Sequence, residues 1–198
     1  MIDMQVSDAE ATPGASYAYK ASLIGSAHRF ELTEEGLSWH VAGRSGLWRY
    51  DEISAIRLSF RPVSMQQRRF RADVSRSGGG HIRILSTSWQ TAALMAPQDN
   101  GFRDFILELH ARMAKAGSHA TLTAGLGRKT YAAMLAFLAV LAVAMAGLLI
   151  RALVTGELAG VLFIIGFAAL FAWQVGGFVR RNQPHSYSFD RVPRALLP

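Results

Sequence analysis

Hydrophobic and polar residues alternate along much of the first half of the chain, which is the pattern of short β-strands. Residues 29–33 and 37–41 alternate in this way on either side of a short turn at residues 33–36. Period-two alternation on both sides of a turn that ends in glycine predicts a β-hairpin, in which Gly36 is able to adopt a positive φ.

A second group of strands is predicted further along the chain. Residues 56–61, 69–75 and 81–86 alternate in the same way, the last two around the glycine-rich turn 77–80. We therefore expect one more strand followed by a second clear hairpin. Weaker alternation predicts short strands at residues 17–24 and 47–50, and residues 86–100 carry no periodic signal.

From residue 101 to residue 115 the apolar residues change to a helical period. They recur at positions i, i+3, i+4, i+7 and i+11: Phe102, Phe105, Ile106, Leu109 and Met113. This spacing predicts an amphipathic helix that covers one end of a bent antiparallel sheet. The core is expected to bury residues from the strands and from this helix together: Trp39, Ile56, Phe70, Ile84 and Phe105.

Two long runs without charge, residues 130–150 and 158–179, stand near the end of the chain. A bilayer core takes roughly 20 apolar residues as a helix, so the two runs and their short connection predict a transmembrane helical hairpin. The alternative is a pair of buried helices in a soluble core. The rest of the chain is too small to cover two helices that are apolar on every side.

These patterns divide the chain into five segments and predict an α+β fold. The segments are a flexible N-terminal arm at residues 1–16, a soluble domain at 17–116, a linker at 117–129, the transmembrane hairpin at 130–179 and a cytoplasmic tail at 180–198.

The soluble domain resembles the bacterial PH-like domains, members of the pleckstrin-homology superfold that occur on membrane proteins. Three segments carry the resemblance: FELTEEGLSWHV, LWRYDEISAIRL and FRDFILELHARM. Such domains show a Thr-Glu-Glu/Asp-Gly-Leu hairpin followed by a Tyr/Pro-x-x-Ile-x-x-Ile entry into the next strand, and Tyr50, Ile53 and Ile56 fit that spacing. The resemblance implies an antiparallel β-sandwich or barrel capped by one C-terminal helix, and it implies little about function.

The positive charge of the chain, formally +7, is concentrated between residues 57 and 83. Seven arginines stand there against Asp73 alone: Arg57, Arg61, Arg68, Arg69, Arg71, Arg76 and Arg83. In a membrane-anchored domain such a segment suits the anionic cytoplasmic leaflet. Nucleic acid also attracts basic charge, but no recognition motif or aromatic platform accompanies these arginines, so we expect no nucleic-acid partner.

Four of these arginines form the candidate binding site. Arg69 and Arg71 share one strand face, whereas Arg57 and Arg61 share another. Guanidinium groups bind phosphate and carboxylate in a bidentate manner, which predicts a site for anionic lipid or an acidic partner; the alternative is a solvated surface. The usual phosphoinositide site of PH domains lies in basic residues of the first hairpin loop, whereas the loop at 33–36 is acidic.

The sequence lacks the residue patterns of catalytic and metal sites. It has no cysteine, and its six histidines share no metal-ligand spacing. The glycines at 78–80 lack the lysine and the following helix of a phosphate loop. The acid pairs at 34–35 and 51–52 lie in turns. We therefore predict a protein that is not an enzyme and has no cofactor or metal.

Small residues in the apolar runs predict close helix packing. They form a stripe in the first run and a pair near the start of the second: Ala132, Ala136, Ala139, Ala142, Ala146, Gly156 and Gly160. Packing within the hairpin is one explanation, and packing against other proteins of a larger complex is the alternative.

Basic residues flank the hairpin on its outer sides, at 128–129 and 180–181, whereas the connection carries only Arg151 and Glu157. The positive-inside bias therefore predicts that both termini are cytoplasmic. The leading functional hypothesis is a non-catalytic, multi-pass protein of the bacterial inner membrane. Its PH-like module would bind membrane-protein partners, as an accessory subunit of a complex within the lipid bilayer. The alternatives are a sensor of anionic lipid and, less favoured, an enzyme or transporter.

Overall fold

The computed structural model describes residues 15–22, 24–61, 68–91 and 94–198. These residues have an α+β fold with β-sheets and three α-helices, two of them long and apolar. The described residues form two compact units. The first, which we call the soluble unit, consists of the chain up to Thr123 together with Ser186–Pro198. The second is Ala124–His185.

The first sheet of the soluble unit has four antiparallel strands in sequential order. They are β1 (Ser16–Tyr19), β2 (His28–Leu32), β3 (Gly36–Val41) and β4 (Arg44–Arg49). Between β3 and β4, Ala42 and Gly43 both have positive φ values, 50° and 76°. Positive φ at both central residues of a two-residue hairpin loop matches the twist of the flanking strands.

The second sheet is built around a three-stranded antiparallel meander. Its strands are β5 (Ile53–Phe60), β6 (Phe70–Arg76) and β7 (His81–Leu85). The side chains of Ile56, Val74 and Ile82 lie in one row across the meander and are buried. A separate pair, β8 (Thr87–Trp89) and β9 (Met95–Pro97), leads to the first helix.

The helix α1 (Asp99–Lys115) carries the apolar face that its spacing predicts. All five of its periodic residues are fully buried: Phe102, Phe105, Ile106, Leu109 and Met113. The helix ends at Lys115, and Gly117, two residues further on, has a φ of +67°. The N–H groups of Gly117 and Ser118 donate to the carbonyls of Ala114 and Met113, the two bonds of a Schellman motif.

Two tyrosines of β1 join the two sheets to each other. The hydroxyl of Tyr17 donates to the carbonyl of Leu85 and that of Tyr19 to the carbonyl of Arg83, each over 2.6 Å. The ring of Tyr17 also lies 5.7 Å from that of Phe105. Desolvation by burial raises the pKa of both tyrosines, so the hydroxyls stay protonated and act as donors.

The chain returns to the soluble unit after the apolar helices. The strand β10 (Thr121–Ala124) lies beside β5, and β11 (His185–Ser186) lies beside β10, so the second sheet has the order β11-β10-β5-β6-β7. The tail then forms a 3-10 turn, η1 (Arg194–Leu196), which packs against β5. Leu196 is only 1% exposed, so the tail belongs to the core of this unit.

His110 of α1 is buried and holds the tail through a hydrogen bond to Tyr187. Its Nδ1 lies 2.6 Å from the carbonyl oxygen of Ile106, so this nitrogen carries the proton and donates. Its Nε2 lies 3.0 Å from the hydroxyl of Tyr187 and therefore accepts. The ring of Phe189 packs edge-on against the imidazole. Desolvation by burial lowers the pKa of His110, which favours the neutral imidazole that this arrangement uses.

The second unit is a helical hairpin of α2 (Arg128–Val154) and α3 (Leu158–Arg181). At 27 and 24 residues, both helices are long and apolar enough to cross a membrane. Neither is buried as the core helix of a soluble protein would be, which favours membrane association. Gly156 closes α2 with φ +73°, and Glu157 N–H donates to the carbonyl of Ala152, as in a Schellman motif.

Several expectations from the sequence differ from the structure. The described strands form separate sheets and do not close into a barrel. Gly36 lacks a positive φ; a Cβ there would lie 2.2 Å from the carbonyl oxygen of Trp48, so glycine is needed for the close approach of β4. Trp39 is half-buried, and Trp48, only 4% exposed, is the buried indole instead.

The segment boundaries also differ from the expected ones. Residues 117–129, expected as a linker, contain β10, and residues 180–198, expected as a tail, contain the end of α3, β11 and η1. Residues 86–100 contain β8 and β9, and β5 begins at Ile53, three residues before the strand predicted at residues 56–61. Most of the N-terminal arm, at residues 1–14, and the loop at 62–67 lie outside the described residues.

We predict that Phe105→Ala lowers the free energy of unfolding of the soluble unit by about 3–5 kcal/mol, the usual loss for a fully buried aromatic side chain. Denaturant unfolding of the full chain in mild detergent, followed by near-ultraviolet circular dichroism, measures this change. Leu107→Ala on the exposed side of the same helix is the control, because Leu107 is 41% exposed. Equal losses for the two variants would contradict the assignment of the buried face.

We also predict that the soluble unit loses stability as the pH falls below about 6.5. Desolvation by burial lowers the pKa of His110 from its ordinary value of 6.5, only partly opposed by the hydrogen bond to Ile106. The unfolded chain therefore binds the proton at a higher pH than the folded chain. The associated stability is complete above 6.5 and is lost as the pH falls towards the lowered pKa.

Thermal unfolding at pH 7.5 and pH 5.0 tests this prediction in the full chain and in His110→Gln. The variant should show a smaller decrease in Tm, because it cannot titrate at this position. His28, whose pKa burial also lowers, is present in both proteins and cancels. An equal decrease in both proteins would show that His110 does not contribute.

Candidate functional site

The outward-facing residues of the meander place cationic side chains around one carboxylate. In the antiparallel register Arg57 of β5 lies opposite Asp73 of β6, which lies opposite Arg83 of β7. Arg71 of β6 lies two residues before Asp73, and His81 of β7 lies two residues before Arg83, so both are on the same surface of the sheet. We call these five residues the arginine face.

Asp73 is the centre of the arginine face. Its Oδ1 lies 2.7 Å from a terminal nitrogen of Arg71, 3.2 Å from Nε2 of His81 and 3.5 Å from Nε of Arg83. The Asp73 side chain is only 13% exposed, so these three side chains shield it from solvent. One carboxylate cannot neutralise three arginines, and the arginine face keeps an excess of positive charge.

The cations of the arginine face differ in how freely they could bind another molecule. Arg71 is largely covered and bonds Asp73 through two nitrogens. Arg83 is about half exposed and lies at a longer distance from Asp73. Arg57 is exposed, and its Nε donates weakly to Oγ1 of Thr123 over 3.4 Å. Arg57 and Arg83 are therefore the residues best placed to meet a partner.

Arg69 is held by side chains of the β8–β9 pair. Its Nε donates to Oγ1 of Thr87 over 3.0 Å, and a terminal nitrogen lies 2.9 Å from the sulfur of Met95. Desolvation by burial lowers the pKa of Arg69 from its usual value. These contacts tie the start of β6 to the β8–β9 pair.

Arg61 follows the end of β5 and is exposed. Its backbone N–H donates to the carbonyl of Arg69 over 2.8 Å, which closes the β5–β6 ladder. The structure thus brings Arg57 and Arg71 to one surface, whereas Arg61 and Arg69 lie at the end of the two strands.

The sequence interpretation missed Arg83, Asp73 and His81 as members of this surface. A signal was present, because the four-residue turn 77–80 places Ser75 opposite His81 and Asp73 opposite Arg83. Alternation then puts all of them on the outer side. Among the described residues, no group of three histidines and acids is arranged to hold a metal ion.

The small residues of the helical hairpin divide into those that line the groove between α2 and α3 and those that do not. Ala142 and Ala146 line an apolar groove between α2 and α3, opposite Ala168, Ala172 and Gly176. Ala132, Ala136 and Ala139 are exposed on α2. Gly160 lies against the Cβ of Ala152 at the hairpin turn, where an added Cβ would be in ordinary contact at 3.7 Å.

We predict that Arg69→Gln destabilises the soluble unit, whereas Arg57→Gln does not. Loss of the bond from the Arg69 guanidinium to Thr87 should cost about 1–3 kcal/mol. An exposed substitution such as Arg57→Gln should change stability by no more than about 0.5 kcal/mol. Denaturant midpoints of the two variants check this difference, and equal midpoints would show that Arg69 is only a surface cation.

No protein-family model matches this chain, and neither a curated protein nor a solved structure was found to match it. Its function must therefore be argued from its own residues.

Proposed function

We propose that this chain is a non-catalytic protein of the bacterial inner membrane whose soluble unit is a PH-like interaction module. In this proposal the helical hairpin spans the membrane, and the arginine face binds an acidic surface of a membrane-protein partner. The chain would thus act as an accessory subunit of a membrane complex. The observation that carries the proposal is the excess positive charge on the outer side of the meander.

The arrangement of strands supports the PH-like assignment. A four-stranded sheet is followed by a three-stranded meander, and one amphipathic helix covers the core formed by both. The segments that carry the sequence resemblance correspond to β2–β3, β4–β5 and α1. Because folds do not determine functions, this assignment supports a binding module without naming its ligand.

Chain connectivity supports a topology with both termini on one side. The soluble unit includes residues on both sides of the hairpin, up to Thr123 and from Ser186 onward. A folded unit cannot be divided by a bilayer, so both ends of the hairpin would face the same compartment. Arg128, Lys129, Arg180 and Arg181 stand at those ends, and the positive-inside bias favours the cytoplasm.

The charge of the arginine face supports an acidic partner. Arg57 and Arg83 are exposed, and they lie on a sheet surface that does not contribute to the apolar core. Basic residues at such a surface can also contribute about 1 kcal/mol each near anionic lipid. A protein partner is favoured because the hairpin already holds the chain in the membrane, so lipid binding is not needed for localisation.

We predict that Arg57→Gln/Arg83→Gln releases the partner while leaving the protein in the membrane and folded. The experiment is affinity purification of the tagged full chain in mild detergent, with quantitative comparison of co-purifying proteins. Removal of two exposed cations should lower recovery of a specific partner several-fold, because it removes most of the accessible positive charge of the arginine face.

The matched control is Arg103→Gln/Arg191→Gln, which removes the same charge from exposed positions outside the arginine face. Partner recovery should be unchanged in this control. If both double variants lose the partner equally, net charge alone is responsible. If neither loses a partner, the arginine face is a solvated surface. Changed spin-label mobility on anionic nanodiscs without partner loss would instead support the lipid-sensor alternative.

A reporter enzyme fused after Pro198 tests the topology separately. We expect a reporter that is active only outside the cytoplasm to remain silent, because basic residues flank both outer ends of the hairpin. A fusion in the connection between α2 and α3, after Gly156, should be active and is the positive control. Strong activity of the Pro198 fusion would overturn the proposed orientation.

A further inference from the structure

The helix α3 carries a row of exposed residues that does not face α2. The row recurs at spacings of four, three, four and three residues: Phe163, Phe167, Leu170, Gln174 and Gly177. The groove between α2 and α3 is lined by other residues of α3, such as Ile164, Ala168 and Val175. Phe163 is 72% exposed and Leu170 is 56% exposed. Packing within the hairpin therefore leaves this row, which we call the α3 seam, uncovered in the part of the chain that the structure describes.

The spacing of the α3 seam is that of a helix that packs against another helix. Alternating steps of four and three residues average 3.5 residues per turn, the period of a left-handed coiled coil, and most transmembrane bundles have this geometry. The rings of Phe163 and Phe167 stack along the seam, with centroids 6.3 Å apart. A Cβ at Gly177 would meet nothing within 4 Å, so another helix could approach the backbone closely there.

Gln174 is the polar position of the α3 seam. It is the only amide or charged side chain in the apolar runs at residues 130–150 and 158–179. Its side chain is exposed and makes no hydrogen bond with another described residue. Six residues, or about 9 Å along the helix axis, separate it from Arg180. In the hydrocarbon of a bilayer no water is available to the amide, so it needs a polar partner at the same depth.

An identical helix supplies such a partner. Two copies of a protein inserted in one membrane have the same orientation, so in a symmetric pair each seam residue meets its own counterpart. An amide both donates and accepts hydrogen bonds, and two facing Gln174 side chains therefore satisfy each other. One polar residue in an apolar seam also fixes the register of a coiled coil. An unrelated helix would need a polar group at the same depth, whereas a second copy always has one.

We propose that two copies of this chain associate in the membrane through the α3 seam, with the two Gln174 side chains hydrogen-bonded to each other. The partner is a second copy of this chain, and the interface is isologous and parallel. The inference rests on the membrane span of the proposed function but does not depend on the arginine face.

Single cysteines test the α3 seam directly, because the chain contains no cysteine of its own. Leu170→Cys places a thiol in the seam, and Leu162→Cys, on another face of the same helix and 71% exposed, is the matched control. Membranes that contain the full-length variants are treated with a mild oxidant and resolved on non-reducing gels. Leu170→Cys should form a dimer several-fold faster than Leu162→Cys, because a disulfide requires Cα atoms roughly 4.4–6.8 Å apart.

Variants of Gln174 in the Leu170→Cys background test whether its amide stabilises the pair. Gln174→Leu should slow cross-linking roughly three- to tenfold, the effect of one interhelical hydrogen bond in a membrane. Gln174→Asn keeps an amide and should retain most of the cross-linking. Trp173→Leu changes an exposed neighbour outside the seam and should have no effect. Arg57→Gln/Arg83→Gln should also leave cross-linking unchanged, which separates this inference from binding by the arginine face.

Dimers that are specific to Leu170→Cys and depend on the Gln174 amide support the proposal. It is overturned if the two cysteine variants cross-link equally, if neither cross-links, or if Gln174→Leu leaves the rate unchanged. A product whose mass is not twice that of the chain would assign the seam to another protein and would overturn pairing with a second copy. Recovery of the variants outside the membrane fraction would overturn the proposed membrane span as well, whereas a membrane-embedded monomer would overturn this inference alone.

Discussion

The soluble unit depends on a constraint of chain connectivity: it is completed by residues from both sides of the apolar hairpin. Tyr187 donates its backbone N–H to the carbonyl of Leu122 and its hydroxyl to His110. Leu196 is buried in the same unit. Burial of one such leucine contributes about 1.5–3 kcal/mol, a large part of the stability of an ordinary domain. The tail is therefore an integral part of the fold.

The helix and most strands could be predicted from the sequence because a single face of each element is buried. Every periodic apolar residue of α1 is buried, and the alternation around residues 77–80 matches β6 and β7. Such patterns arise directly from burial and need no knowledge of the partner element. The prediction worked least well where a residue contacts a distant part of the chain.

Gly36, Trp39 and the tail illustrate that limit. Gly36 is needed because the backbone of β4 approaches it closely. Trp48 is buried in the core where Trp39 was expected, and the strand pattern alone does not decide which of the two indoles is covered. The packing of Leu196 on β5 joins residues more than a hundred positions apart in sequence. Local periodicity carries no information about such contacts.

The arginines illustrate a similar limit for the candidate site. Their charge was evident from the sequence, but the sequence did not show which of them are already bonded to other side chains and which are free to bind a partner. Asp73 engages Arg71, and Thr87 with Met95 engages Arg69, which leaves Arg57 and Arg83 as the accessible cations of the arginine face. Attraction by exposed cations is screened over roughly 10 Å at 0.1 M salt. Salt dependence therefore distinguishes the function of Arg57 and Arg83 from the structural contacts of Arg69.

The closure of the soluble unit by its tail also orders events during synthesis. β10 and the residue that pairs with it, Tyr187, are separated by both apolar helices. Contacts between such distant residues are slow to form, because the intervening loop must first be closed. The ribosome makes the tail after both helices, so the earlier strands must wait with one side of the core uncovered. Insertion of the hairpin into a membrane would bring the two ends together, and completion of the soluble unit would thereby be linked to arrival at the membrane.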